Sequence, residues 1–325
     1  MKHTLFGTYL GEDVVKYTLT NGSIEADIIT LGATITAVRV PDKSGKLTDV
    51  VLGHPTLEDY LTKGGYLGAV IGRYGNRIEN GQFVINGKTY QVGVNEAPNS
   101  LHGGLEGFDK KIWKAVPQGD NALTLTYHSP DGEEGFPGNL DVTVTYTVTA
   151  DNGLSISYRA VSDADTTVNL TNHAYFNVRG TENTTDGILL RIAADQITPV
   201  DEALIPHNTF RDVGGSLYDF RSPRPFICDL SGDETLSKRG CYDENFVLSG
   251  SGMRNVSSLL ARDTGIQMDV YTDQPGMQIY TGNPGGIALE TQNFPNAINC
   301  PAYPNAILRA GDIYETTTAY VFTTI

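Results

Sequence analysis

The sequence predicts an all-β protein: a large antiparallel sandwich or barrel, with very few short helices and residues 1–325 in a single domain. Three observations predict it. Period-two alternation of apolar and polar residues recurs along most of the chain. Turn signals punctuate it at intervals of roughly 8–14 residues. Helical periodicity is nearly absent, while 36 Gly and 17 Tyr suit strands joined by tight turns. No composition break marks a linker, and no internal repeat or low-complexity tract appears.

Taken in order, residues 13–40 alternate at Ile24, Ala26 and Ile28, then at Ile35 and Val38 beyond Gly32. The segment 56–61 is a short helix, with Thr56 and Asp59 at capping-box spacing. Residues 81–91 form a hairpin about Asn86-Gly87, a strong type I′ turn signal. Strands follow at 123–127, at 139–149 through Leu140, Val142, Val144, Tyr146 and Val148, and at 154–160 through Ile156 and Tyr158. The stretch 168–180, VNLTNHAYFNVRG, enters as a strand. Its alternation sets Asn169, Thr171, His173 and Tyr175 on one face and Val168, Leu170 and Asn172 on the other. The segments 129–138 and 221–233 are loops, and further strands are expected at 188–192, 267–272, 277–281, 286–292 and 317–323.

Composition narrows the function. Apolar content of 39 % supports a substantial core, and a net charge of −15 opposes binding to nucleic acid or anionic membranes. Cys228, Cys241 and Cys300 are odd in number and widely spaced, which is neither a disulfide framework nor a zinc site. The first residues lack a signal-peptide apolar run, and no stretch is long and apolar enough to span a bilayer as a helix. The expectation is a reduced, cytoplasmic protein. Nucleotide-binding glycine motifs, H-E-x-x-H and G-x-S-x-G are all missing from the sequence.

The polar segments carry the chemistry. His173 is the side chain of its run that exchanges a proton near neutral pH without a large pKa shift, and a strand holds it rigidly. GRYGNRIEN, 72–80, brings Asn76 and Arg77 together, an amide and a guanidinium able to grip several sugar hydroxyls. NSLHGG sets His102 before two glycines that permit close backbone approach. In YDENFVL, Asp243 sits where a loop becomes a strand. Gln278 and Glu290 fall on strands expected to be neighbours in a meander. Glu290 follows Ile287-Ala288-Leu289, so desolvation there would raise its pKa toward the range of a general base.

Together GRYGNRI, NSLHGG, TNHAYFN, YDENF, PGMQIYTGN and ALETQNFPNA resemble, in that order, the aldose 1-epimerase (galactose mutarotase) family, over residues 72–297. The resemblance implies a mutarotase-type β-supersandwich with an open sugar cleft. It implies His173 as general acid and Glu290 as general base, and Asn76, Arg77, His102, Tyr175, Asp243 and Gln278 as sugar-binding positions. The implied activity is interconversion of the α- and β-anomers of a free aldose such as galactose or glucose, by a monomer or homodimer, with no metal or cofactor. One departure is visible: Glu244 stands where the family often has histidine.

Three rival readings stay open at this point. A glycoside hydrolase would pair Glu290 with Asp243 and leave the histidines without a role. A non-catalytic carbohydrate-binding protein would use the same fold. A metal site would be built from His102, His173 and a carboxylate.

Overall fold

A computed structural model describes residues 1–206, 208–227 and 229–325 of the chain; the reading made for Cys228 lies outside the described residues. Strands dominate, and the α-helices among the described residues are two single-turn segments, Leu57–Thr62 and Glu234–Arg239. The first is the expected helix: the Thr56 hydroxyl accepts from Asp59 N–H at 3.2 Å. Asp59 does not reciprocate as a capping box would; it pairs with Lys63 at 2.9 Å. The second helix falls just after the stretch read as loop. Asp233 caps its first turn and Gly240 ends it at φ 76°.

A five-stranded meander of Lys2–Tyr9, Glu12–Thr20, Glu25–Ile29, Thr34–Pro41 and Leu47–Asp49 opens the chain. The largest sheet has nine strands, and Leu140–Val148, Gly153–Ser162, Ile313–Thr324 and Ile266–Thr272 run side by side near its middle. Its pairing follows the predicted alternation: Val144 lies opposite Tyr158, and Tyr146 opposite Ile156. These four side chains are buried, each contributing on the order of 2 kcal/mol by removal from water.

The third large sheet has six strands and carries the polar segments. Its strands are β1 (Tyr175–Phe176), β2 (Ala194–Thr198), β3 (Arg211–Asp212), β4 (Asp243–Leu248), β5 (Gly276–Tyr280) and β6 (Ile287–Gln292), in the spatial order β1-β6-β5-β4-β2-β3. One buried cluster joins the sheets, with Ile28 and Val38 from the first, Val144 and Val270 from the second, and Phe246, Ile279 and Leu289 from the third. The architecture is thus the large antiparallel β-sandwich that the alternation predicts. The 81–91 hairpin also forms, turning at Asn86 (φ 53°) and Gly87 (φ 77°).

The stretch 168–180 differs from its expectation. It is not one strand but short pairings to different partners: Thr171–Asn172 with Val70–Ile71, and β1 with β6. From Val168 to Val178 both faces are buried, so its polar residues bond inward rather than to water. Asn169 donates to the carbonyls of Gly75 and Asn293, and Thr171 to that of Thr291. Polar residues at period two mark an exposed face only where no second layer covers them.

Candidate active site

A cavity of about 500 Å³ opens over the cleft face of β6, β5 and β4, a size ordinary for a small-molecule site. Strand pairing builds its floor. Gln278 on β5 lies directly opposite Glu290 on β6, as the meander predicts, and Asp243 begins the next strand outward. Along β6, Ile287 and Leu289 enter the core while alternation turns Glu290 to the other face. His173 arrives from the buried stretch before β1. Its backbone is fixed by hydrogen bonds to Ala69 O and from Gly68 N.

His173 Nε2 stands 3.6 Å from Glu290 Oε1, with the side chains only 7 % and 2 % exposed. Among the described residues, neither Glu290 Oε2 nor His173 Nδ1 has a hydrogen-bond partner, although both are buried. Unpaired buried polar atoms are costly, and at a cavity wall they are positioned for a ligand. Burial pushes the Glu290 carboxyl well above its ordinary range and pulls His173 down to about 4. Burial therefore favours an uncharged pair holding one proton.

His102 sits beside them, its ring centroid 5.2 Å from that of His173. Its loop is left-handed throughout, with His102 at φ 53° and Gly103 at φ 91°. His102 Nδ1 accepts from the Asn76 backbone N–H at 3.1 Å, and burial drives the imidazole well below its usual pKa. A neutral ring with its lone pair engaged on Nδ1 carries its proton on Nε2. His102, His173 and Glu290 bring ligand atoms within 4.8 Å of one another, yet His102 has no free lone pair for a metal. It offers an N–H donor instead, which suits an oxygen-rich ligand.

Arg77 is clamped by a bidentate pair to Glu96, at 2.5 and 2.8 Å, and stands 3.9 Å from Asp243. Its backbone N–H donates to the Asn76 side-chain oxygen at 2.8 Å. The Tyr175 ring closes one side, 5.0 Å from His173. Of the eight residues predicted from sequence, Asn76, Arg77, His102, His173, Tyr175, Asp243 and Glu290 line the cavity. Gln278 does not; it stands behind Asp243, donating to its carboxylate at 2.6 Å.

Sequence reasoning missed Tyr66, Glu96, Arg239, Cys241 and Tyr280, which also line the cavity, together with Gly65, Leu101 and Leu204. Tyr66 packs edge-on against His102, with centroids 4.7 Å apart, from a loop whose only signal is its run of glycines. Arg239 is set by Glu244, the departure noted above. Glu244 Oε1 accepts from Arg239 Nη1 at 2.5 Å, and Oε2 from Asp243 N–H at 2.9 Å. Burial pushes Glu244 up to about 7 despite that guanidinium.

Comparison with known proteins adds to this geometry. The family model for aldose 1-epimerase matches residues 15–321. The chain is 44 % identical to the galactose mutarotase of Mus musculus, over 96 % of this chain and 95 % of that protein. It is 37 % identical to the aldose 1-epimerase of Escherichia coli K12, over 93 % of each. In three dimensions it resembles the aldose epimerase homologue of C. elegans, with a TM-score of 0.87 at 27 % identity over 96 % of this chain and 99 % of that one. The galactose 1-epimerase of Lactobacillus acidophilus gives 0.87 at 25 % identity, over 99 % and 98 %.

Proposed function

The chain belongs to the aldose 1-epimerase family, and on that premise we propose which residues interconvert the anomers of its free aldose. The enzyme is an isomerase. Inverting C1 requires the ring to open, the C1–C2 bond to rotate, and the ring to close on the other carbonyl face. In opening, Glu290 carboxylate takes the O1 proton, the O1 electrons form the C1 carbonyl, and the C1–O5 bond breaks. His173, protonated, gives its proton to O5. Closure reverses both transfers. No proton is gained or lost overall, so one proton on the pair serves both directions.

The observation that carries this reading is the 3.6 Å between His173 Nε2 and Glu290 Oε1. O1 and O5 are both bonded to C1, so acid and base must stand side by side. A glycosidase instead separates its two carboxyl groups by ~5–5.5 or ~6.5–9.5 Å around a glycosidic bond, and it has no use for the imidazole. Side-by-side placement also lets the pair exchange its proton once O1–H donates to Glu290 and O5 accepts from His173, hydrogen bonds that favour the charged forms. His102 Nε2–H supports developing charge at O5, while Arg77 and Asp243 hold hydroxyls farther along the ring. Gln278 orients Asp243, and Asn76 fixes the tautomer of His102 through its backbone N–H. Each positioned proton transfer is worth roughly 10²–10⁴-fold.

The shared core supports one domain over residues 1–325. Free thiols at Cys241 and Cys300 support a reducing, cytoplasmic location, and turnover of a free aldose's anomers supports a role in hexose metabolism. The test is polarimetry on freshly dissolved α-D-galactose and α-D-glucose. Glu290→Gln and His173→Asn are each expected to lose at least about a hundredfold in kcat with the fold retained. Near wild-type turnover in either variant removes the assignment.

A further inference from the structure

Two segments meet at one wall of the cleft. Arg77–Ile78 pairs with Ser100–Leu101, which places Arg77 opposite Leu101. The chain reaches Leu101 through a tight loop in which Glu96 and Asn99 exchange backbone hydrogen bonds of 3.2 and 2.8 Å. Asn95 fastens this loop to the segment carrying His102. Its amide donates to the carbonyls of Leu101 and Gly104, and its oxygen accepts from Leu101 N–H. Glu96 is thereby held beside Arg77, and its carboxylate takes Nε and Nη2 of the guanidinium at 2.5 and 2.8 Å.

That bidentate pair fixes the plane of the guanidinium. The remaining nitrogen, Nη1, makes no hydrogen bond among the described residues and stands 3.9 Å from Asp243 Oδ2. The gap is too long for a direct hydrogen bond. It is a span that one hydroxyl oxygen can bridge, accepting from Arg77 and donating to Asp243. Gln278 holds the other carboxylate oxygen, Oδ1, at 2.6 Å. Arg77 is only 8 % exposed, and among the described residues its ion-pair partners are Glu96 and Asp243. With Glu96 gone, a buried guanidinium left with one carboxylate closes on it, and both groups are withdrawn from the sugar.

We propose that Glu96 selects neutral aldoses: it holds Arg77 off Asp243, so that both grip one hydroxyl, and it cancels the charge with which Arg77 would draw a sugar acid into the cleft. Glu96 acts through Arg77 and is a positioning residue. The proposal rests on the reading of the cleft as the site of anomer interconversion made above. A hydroxyl loses little from a neutralised guanidinium, because its hydrogen bonds are short-range. A uronate differs. It meets one guanidinium backed by two carboxylates, a net negative group at distances where charges interact strongly even at an effective dielectric of ~20. The uncharged His173–Glu290 pair supplies no cation to offset it.

The experiment follows epimerisation of fresh α-D-galactose by polarimetry, with D-galacturonate, already at anomeric equilibrium, as competitor. The two sugars differ only at C6, where a carboxylate replaces the hydroxymethyl group. Wild type is compared with Glu96→Gln and Glu96→Asp. The Glu96 side chain is 40 % exposed, and the backbone bonds to Asn99 do not involve it, so both variants fold. In wild type, galacturonate is expected to compete poorly. Glu96→Gln removes the charge at nearly constant shape and sets an amide NH₂ against a guanidinium donor. It should raise KM for galactose roughly fivefold with kcat within about twofold. It should also lower Ki for galacturonate roughly tenfold, an effect that fades at ~1 M salt. Glu96→Asp, which keeps the charge, should keep galacturonate a poor competitor. A merely structural loss moves both sugars the same way. The proposal is overturned by KM and Ki rising together, by a Ki that does not fall, or by a Glu96→Asp variant that binds galacturonate as Glu96→Gln does. A wild type that leaves galactose unturned instead removes the reading of the cleft on which the proposal rests.

Discussion

The proton held between His173 and Glu290 makes opposite demands on two single mutants. Burial lowers the imidazole to about 4 and raises the carboxyl, whereas in the unfolded chain the groups titrate near ~6.5 and ~4.3. Between about pH 4.5 and 6.5, folded and unfolded pairs each hold one proton, on opposite partners, and the pair adds no pH dependence to stability. Glu290→Gln leaves only His173, whose folded pKa is depressed. The unfolded state then binds more protons, and stability falls as pH drops from ~6.5 toward 4, by about 3 kcal/mol in all. His173→Asn leaves only Glu290, whose folded pKa is raised. Its contribution is complete below ~4.3 and is lost as pH rises. Urea midpoints measured across this range should therefore slope in opposite directions in the two variants, and like slopes refute the neutral pair. Turnover follows the same count. The singly protonated pair is the active form, and its macroscopic values belong to both groups. So kcat/KM for the wild type should hold level through neutral pH and fall on an acid limb near pH 4.

At the scale of elements, the loop carrying His102 shows how backbone conformation positions an acceptor. A Cβ on Gly103 would lie 1.9 Å from the Gly72 carbonyl oxygen, at φ +91°. Gly103→Ala must displace the loop and with it the His102–Asn76 hydrogen bonds. It is expected to lose on the order of 3 kcal/mol of stability and about a hundredfold in turnover, since a small misplacement near the chemistry costs that much. Gly87, at φ +77° with nothing within 4 Å, is the control. Its alanine variant meets only backbone strain of about 1 kcal/mol and should keep full activity in the same polarimetric assay. Elements with a clean period were legible in the sequence, and so were the side chains they carry. Leu140–Val148 and the β5–β6 pair, with Gln278 opposite Glu290, follow the alternation directly. The helix Glu234–Arg239 was not legible: it is as short as Leu57–Thr62, but its cap Asp233 is followed three residues on by Leu236 rather than by a polar capping-box partner. Arg239 was missed with it, and Tyr66 and Glu96 were missed because loops deliver them to the cleft. The strand expected on entry to 168–180 gave way to short pairings for a related reason. Alternation reports which side chains share a face, not how many sheets cover that face.

Over the whole molecule the charge is −15, yet the cleft is close to balanced. Arg77 is paired with Glu96 and Arg239 with Glu244, so neither guanidinium projects an uncompensated field. Steering by long-range electrostatics requires charge on both partners, and a free aldose has none. Between about 10 mM and 1 M salt the screening length contracts from ~30 to ~3 Å. Across that range kcat/KM for galactose or glucose should change by less than about twofold. A sugar phosphate offers the contrast: the acidic surface repels it, so any turnover of glucose 6-phosphate should be weak at low salt and improve as salt is added. Stopped-flow polarimetry at several ionic strengths measures both. A steep decline with salt for the neutral sugar would mean that the substrate is drawn in by charge. That result would contradict a site whose cations are already engaged by carboxylates and whose recognition rests on short-range hydrogen bonds to hydroxyls.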